Sequence, residues 1–218
     1  TNIDFLSGGL SSNDSLTGLD AVSIWSIATA GTYTTSGRSA VFTSIENVNG
    51  GILADTFTVS GNATANIAGN DGADVVTLNP SATLVGQITT GAGNDGIALR
   101  SNAVVTGVVN AGTGVDTLDF TGSTSSVALK LSAANLVDGS GFNGDFGETG
   151  PIGTALGASA DDVFGIESLI GGLGADSLTG LDTASTWSIG TSSSYRDTVS
   201  NHSLAFSAID ALIGQSQV

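Results

Sequence analysis

The sequence predicts an all-β fold, a parallel β-helix (β-solenoid) of about 20-residue rungs with Gly/Asp-rich turns, and three observations carry that expectation. The string Gly171-Gly172-Leu173-Gly174-Ala175-Asp176-Ser177-Leu178-Thr179 satisfies a G-G-x-G-x-D-x-U-x turn-and-strand repeat, and looser copies begin at Gly8, Gly50, Ala68, Thr90 and Ala111. The aspartates of three middle copies, Asp74, Asp95 and Asp116, are spaced 21 residues apart, the length of one solenoid coil. The chain of 218 residues holds 32 glycines and two prolines and has no long stretch of helical periodicity, a composition that suits short strands joined by tight turns.

Taken in order, the first module covers 8–45, where GGLSSNDSLTGLDAVSIWSIATAGTY runs from Gly8 to Tyr33 and on through Val41-Phe42 to Ile45-Glu46. Regular 21-residue rungs follow over 62–122. There Val76/Leu78, Ile97/Leu99 and Leu118/Phe120 alternate with polar neighbours, as a strand with one buried face requires, and Ile67, Ile88 and Val108 take matching places across the turn. The Gly-rich stretch 138–160 loses the register and reads as a loop leaving the rod. The first module then returns over 171–209, aligning Leu16 with Leu178, Trp25 with Trp187, Ile27 with Ile189 and Tyr33 with Tyr195. The repeated tryptophans read as core or edge packing. No linker interrupts the chain, so 1–218 reads as one elongated domain, a rod roughly 50 Å long at about 4.8 Å per rung.

Composition excludes several functions. Four Lys and Arg against 20 Asp and Glu give a net charge of −16, a field that repels nucleic acid and anionic lipid. No apolar run approaches the length of a membrane span, so no membrane insertion is expected, and any export signal or anchor is expected outside the sequence. The absence of Cys and Met suits an oxidation-tolerant extracellular protein, secreted or on a bacterial cell surface. Catalysis is not expected. β-Helical polysaccharide lyases and epimerases gather cations and acid/base groups on one face, whereas this chain has one histidine, His202, and only Arg38, Arg100, Lys130 and Arg196 as cations.

The G-G-x-G-x-D turns, the Ile-Glu strings at Ile45 and Ile166 and the Trp-Ser-Ile modules resemble the RTX-like, haemagglutinin-type repeat regions of large bacterial secreted and cell-surface proteins. The resemblance implies a β-helical or β-roll stalk of an adhesin, matrix or surface-layer protein, and in many such regions calcium binds the glycine-aspartate turns. This chain departs from the tandem nonapeptide pattern, with one turn per coil in place of two. The aspartates Asp74, Asp95 and Asp116 would still stack about 5 Å apart, repelling by roughly 0.8 kcal/mol per pair even in water. Calcium held by carboxylates and turn carbonyls would relieve that repulsion, with Asp14, Asp55, Asp74, Asp95, Asp116 and Asp176 as ligands and Asp176 the best placed. Alternatively each Asp hydrogen-bonds its own turn and the column stays solvated and metal-free.

The string Ile3-Asp4-Phe5-Leu6-Ser7-Gly8-Gly9 recurs at Ile45, at Ile166 and, just before the sequence stops, as Ile209-Asp210-Ala211-Leu212-Ile213-Gly214. Matching ends predict either excision from a longer repeat or head-to-tail stacking into a homopolymer through Ile3, Phe5, Leu6, Ile209, Leu212 and Ile213. The expected function is therefore a structural extracellular fibre or stalk. A calcium- or glycan-binding module, contacting extracellular polysaccharide or a host or cell surface, is the alternative, and a polysaccharide-active enzyme a remote one.

Overall fold

The computed structural model describes residues 3–134, 141–146, 150–152 and 162–215. Every element among them is a strand. The first module supplies β1 (Phe5–Ser7), β2 (Ser15–Thr17), β3 (Ser23–Ile27), β4 (Ala30–Thr35), β5 (Arg38–Thr43) and β6 (Asn47–Asn49). Three regular passes follow: β7 (Asp55–Val59), β8 (Asn62–Thr64) and β9 (Asn66–Asp71); β10 (Val75–Leu78), β11 (Thr83–Val85) and β12 (Ile88–Ala92); β13 (Gly96–Leu99), β14 (Val104–Val105) and β15 (Val109–Asn110). Next come β16 (Thr117–Asp119), β17 (Ala128–Ala134), β18 (Phe142–Asp145) and β19 (Val163–Ile166). The second module closes the series with β20 (Ser168–Ile170), β21 (Ser177–Thr179), β22 (Ser185–Ser188), β23 (Ser193–Asp197), β24 (Ser203–Ser207) and β25 (Ala211–Ile213).

These strands form two long, mostly parallel sheets and a short one. The first has twelve strands in the order β1-β5-β4-β3-β7-β10-β13-β16-β20-β24-β23-β22, and the second has ten, β2-β6-β9-β12-β15-β19-β18-β17-β21-β25. Between them in the middle of the chain lies the three-stranded β14-β11-β8 sheet. Each regular pass gives one strand to each sheet, an arrangement compatible with a β-solenoid. The 21-residue spacing appears directly in the register, which steps from Val75 to Gly96 to Thr117.

Because parallel strands in register place like positions opposite one another, the alternating apolar residues stack into columns. One column of the twelve-stranded sheet is Trp25, Phe57, Val76, Ile97, Leu118, Leu169 and Phe206. In the ten-stranded sheet Leu16, Val48, Ile67, Ile88, Val109 and Val163 follow one another. Val109, fully buried, takes the place expected of Val108, which is half-buried. A 21-residue count from Ile88 reaches Val109, so the regular spacing holds through this pass.

Part of the stretch 138–160 is sheet and not an external loop. Strand β18 lies between β17 and β19, antiparallel to both, with Phe142 and Ile152 fully buried. The remainder of that stretch lies outside the described residues, apart from the short segments around it.

The two modules fold alike. In each a three-stranded antiparallel meander, β3-β4-β5 or β22-β23-β24, takes places in the twelve-stranded sheet. In each a tyrosine hydroxyl accepts a loop N–H at 2.9 Å, Leu19 to Tyr33 and Leu181 to Tyr195. Burial nevertheless differs. Trp25 is buried, stacked on Phe57 at 5.8 Å, because β7 continues the sheet beyond β3. Its counterpart Trp187 is half-buried on the edge strand β22, and Ile189 is 73% exposed where Ile27 is 2%.

Trp25→Ala is therefore expected to cost about 3–5 kcal/mol of unfolding free energy, and Trp187→Ala less than half as much. Equal losses in urea titrations would contradict this placement.

Candidate functional site

A carboxylate precedes each strand that follows a glycine-rich turn, and the sheet register stacks these acids. Along the twelve-stranded sheet the backbone N–H of one acid donates to the carboxylate of the acid on the next pass. Asp55 N–H reaches Asp74 Oδ1 at 2.7 Å, Asp74 reaches Asp95 at 2.7 Å, Asp95 reaches Asp116 at 2.8 Å, and Asp116 reaches Glu167 Oε2 at 2.6 Å. Ser23 opens the column, donating its N–H to Asp55 Oδ1 at 2.9 Å and its hydroxyl to the same oxygen. The ten-stranded sheet holds two shorter runs. Asp14 N–H donates to Glu46 at 2.9 Å, while Val127 donates to Asp176 at 2.7 Å and Asp176 to Asp210 at 2.8 Å.

The six aspartates singled out by sequence thus fall into separate columns. Asp55, Asp74, Asp95 and Asp116 lie together, and Asp14 and Asp176 lie apart in the other sheet. The acids are not a solvated row: Asp55, Asp74, Asp95, Asp116 and Asp176 are all buried, with only Asp14 half-exposed. Glu46, Glu167 and Asp210 complete the columns and were not marked by spacing as acid-column members, although each is the acid just after Ile in the recurring Ile-Glu or Ile-Asp string.

The turns differ in how they meet the second carboxylate oxygen. Where two glycines precede the Asp, the second glycine donates its N–H: Gly9 to Asp14 at 2.6 Å, Gly51 to Asp55 at 2.7 Å and Gly172 to Asp176 at 2.6 Å. In the regular passes the equivalent residues Asn70 and Gly91 sit in left-handed backbone, at φ 77° and 107°. Their N–H groups do not reach the acid, and Oδ2 of Asp74 and of Asp95 is buried without a hydrogen-bond partner among the described residues. The Thr90 hydroxyl close to Asp95 donates to the Ala111 carbonyl at 2.7 Å.

Burial pushes the Asp74 carboxyl up from 3.8 to about 6, the Asp55 N–H opposes this, and the charges of Asp95, Asp55 and Asp71 add to it. Burial likewise raises Asp95. Elsewhere burial is outweighed: Thr121 and Arg100, the latter 3.1 Å away, hold Asp119 below its ordinary value, and Ser200 and Thr183 do the same for Asp197.

Two ways of relieving the crowded column are chemically open, a proton on Asp74 or a bound cation. Among the described residues no group of three or more His, Cys, Asp and Glu is placed to hold a metal ion. The Arg196 and His202 region is organised as a turn, with Asp197 accepting from Thr183 and Ser200 and the imidazole edge-on to Phe142 at 6.2 Å.

The residues marked for self-assembly are placed at the two ends. Ile3 and Phe5 are 66% and 59% exposed, Leu6, Ile209 and Leu212 are half-buried, and Ile213 is exposed. However, β1 ends the twelve-stranded sheet and β25 the ten-stranded one. Within one chain the segments 3–9 and 209–214 therefore lie in different sheets.

The chain matches no protein-family model, no curated protein and no solved structure at a significant level.

A carboxyl whose pKa rises on folding binds its proton more tightly when folded. The contribution of Asp74 is therefore full below about pH 3.8 and lost as pH rises through about 6, a change of about 3 kcal/mol. Asp119 and Asp197 act oppositely, losing their contributions as pH falls through their lowered values. Stability is expected to peak near about pH 4 and to fall as pH rises from there through about 6. Asp74→Asn, which removes the charge but keeps the acceptor for Asp55, should raise the melting temperature at pH 8 and flatten the profile. A parent profile that rises steadily from pH 5 to pH 8 would contradict the assignment.

Proposed function

We propose that the chain is a structural, non-enzymatic segment of an extracellular protein, a β-solenoid stalk or fibre subunit of an adhesin, matrix or surface layer. The observation that carries this reading is the continuity of the columns. Apolar residues stack along both long sheets, acids stack beside them, and the residues with distinctive chemistry are used to join one pass to the next. Scarce cations and a lone histidine engaged in a turn favour a mechanical over a catalytic role. Export to the cell surface or the medium accords with the lack of Cys and Met, and extracellular polysaccharide or a cell surface is the external partner such a stalk would meet. Calcium binding is the second reading, favoured by the buried Oδ2 atoms of Asp74 and Asp95, which have no hydrogen-bond partner among the described residues.

Immunogold labelling of cells producing the protein is expected to mark the surface or the extracellular matrix. Label confined to the cell interior, or depolymerisation of a polysaccharide by the pure chain, would overturn the reading. For the cation, a melting temperature raised by calcium and lowered by chelator, and no longer responsive in Asp74→Asn, is the expected outcome; an unchanged melting temperature and no calcium by elemental analysis would exclude it.

A further inference from the structure

The N-terminal module continues into the body of the protein through β3 and β6, which pair in parallel with β7 and β9. The counterparts of β3 and β6 in the second module are β22 and β25, whose outer edges carry no strand among the described residues. Conversely, the second module is seated on β16 and β17 through β20 and β21. The counterparts of those strands, β1 and β2, likewise have bare outer edges. One end thus presents strands that elsewhere in this chain receive a following parallel strand, and the other presents strands that elsewhere receive a preceding one.

The side chains agree with this complementarity. Within the chain, Ser23 at the start of β3 donates its N–H and hydroxyl to Asp55. Its counterpart Ser185, exposed on β22, faces no acid of a following strand among the described residues. At the other end Asp4, the counterpart of Glu167, is exposed and accepts no N–H from a preceding strand among the described residues, although Glu167 accepts the N–H of Asp116. The core columns also stop half-finished. Leu6 and Leu16 at one end and Trp187 and Leu212 at the other are half-buried, packed on the core from one side only.

We infer that a second copy of this chain occupies these edges, with β1 of one copy extending the twelve-stranded sheet past β22 of the next, and β2 extending the ten-stranded sheet past β25. Register carried over from the internal pairs sets Asp4 opposite Ser185, Leu6 on Trp187 and Leu16 on Leu212. The inference rests on the fibre reading above and supplies its joint. Each copy uses one end of each kind, so the contact is heterologous and propagates without closing. One pair opposes it, because the same register brings Asp210 against Asp14. Association is therefore tighter at high salt, where that repulsion and the net charge of −16 are screened.

A charge-swapped pair of variants tests the joint by sedimentation velocity and negative-stain imaging. Parent chain is expected to lengthen into filaments as concentration and salt rise. Asp4→Lys removes the acceptor, and Ser185→Asp sets a second carboxylate against Asp4, so each alone should associate on the order of tenfold more weakly. Mixed one to one, the two variants should regain assembly, since one joint is then native and the other pairs the introduced ammonium with the introduced carboxylate. A parent that stays monomeric at high concentration and salt overturns the joint, as do single variants that assemble like the parent or a mixture that does not recover. A monomeric parent leaves the stalk reading to the labelling experiment, and an intracellular label sinks that reading whatever the joint does.

Discussion

Wherever a tight turn feeds a buried strand, one backbone N–H at the start of the strand faces the next pass and needs an acceptor. In this protein the acceptor is a carboxylate, and the rest of the architecture follows from that choice. An isolated charge in such a place would be costly, but hydrogen bonds to ionised acceptors are about twice as strong as neutral ones. The Asp55-to-Glu167 column links five successive acids in this way. It also pins the register. A slip of one residue would turn every buried side chain outward and leave both the acids and their donors unanswered.

The two modules separate what local sequence decides from what position decides. The Gly-Leu-Asp loop, the Trp-Ser-Ile strand and the tyrosine that accepts the loop N–H fold the same way twice. Yet Trp25 and Tyr195 are fully buried, while Tyr33 and Trp187 are half-buried. Each module is flanked by the body on one side only, and the side is opposite in the two. The aromatic pair thus guards whichever face is outermost, Tyr33 with Leu6 near one end and Trp187 with Leu212 near the other.

Much of this was legible in the sequence. The 21-residue spacing of Asp74, Asp95 and Asp116 located a true column, and the alternation of Val76, Leu78, Ile97 and Leu99 located its core. The burial of the acids was not legible, because an aspartate that closes a solvated turn and one that caps a buried strand share the same local string. The pairs Gly8-Gly9, Gly50-Gly51 and Gly171-Gly172 hold a finer signal, since they mark the turns whose own N–H satisfies the acid, where Asn70 and Gly91 do not. Sheet membership escaped for a different reason. The Ile-acid strings at Ile3, Ile45, Ile166 and Ile209 look alike but fall alternately in the twelve- and ten-stranded sheets, because a meander of three strands intervenes within each module. Strand β18 was hidden by its glycines, which read as a loop although Phe142 enters the core.

The acid columns also keep the coupling between passes local. Each carboxylate is tied to the pass before it and the pass after it, so a disturbance at one level reaches its two neighbours and little further. Among the described residues β2 and β25 are paired on one side only, whereas the strands of Val76 and Ile97 are paired on both, so the amides of the middle passes are the better protected. Protection in such an arrangement grows with the number of bonded levels on either side of a given amide, so repetition is itself a source of durability.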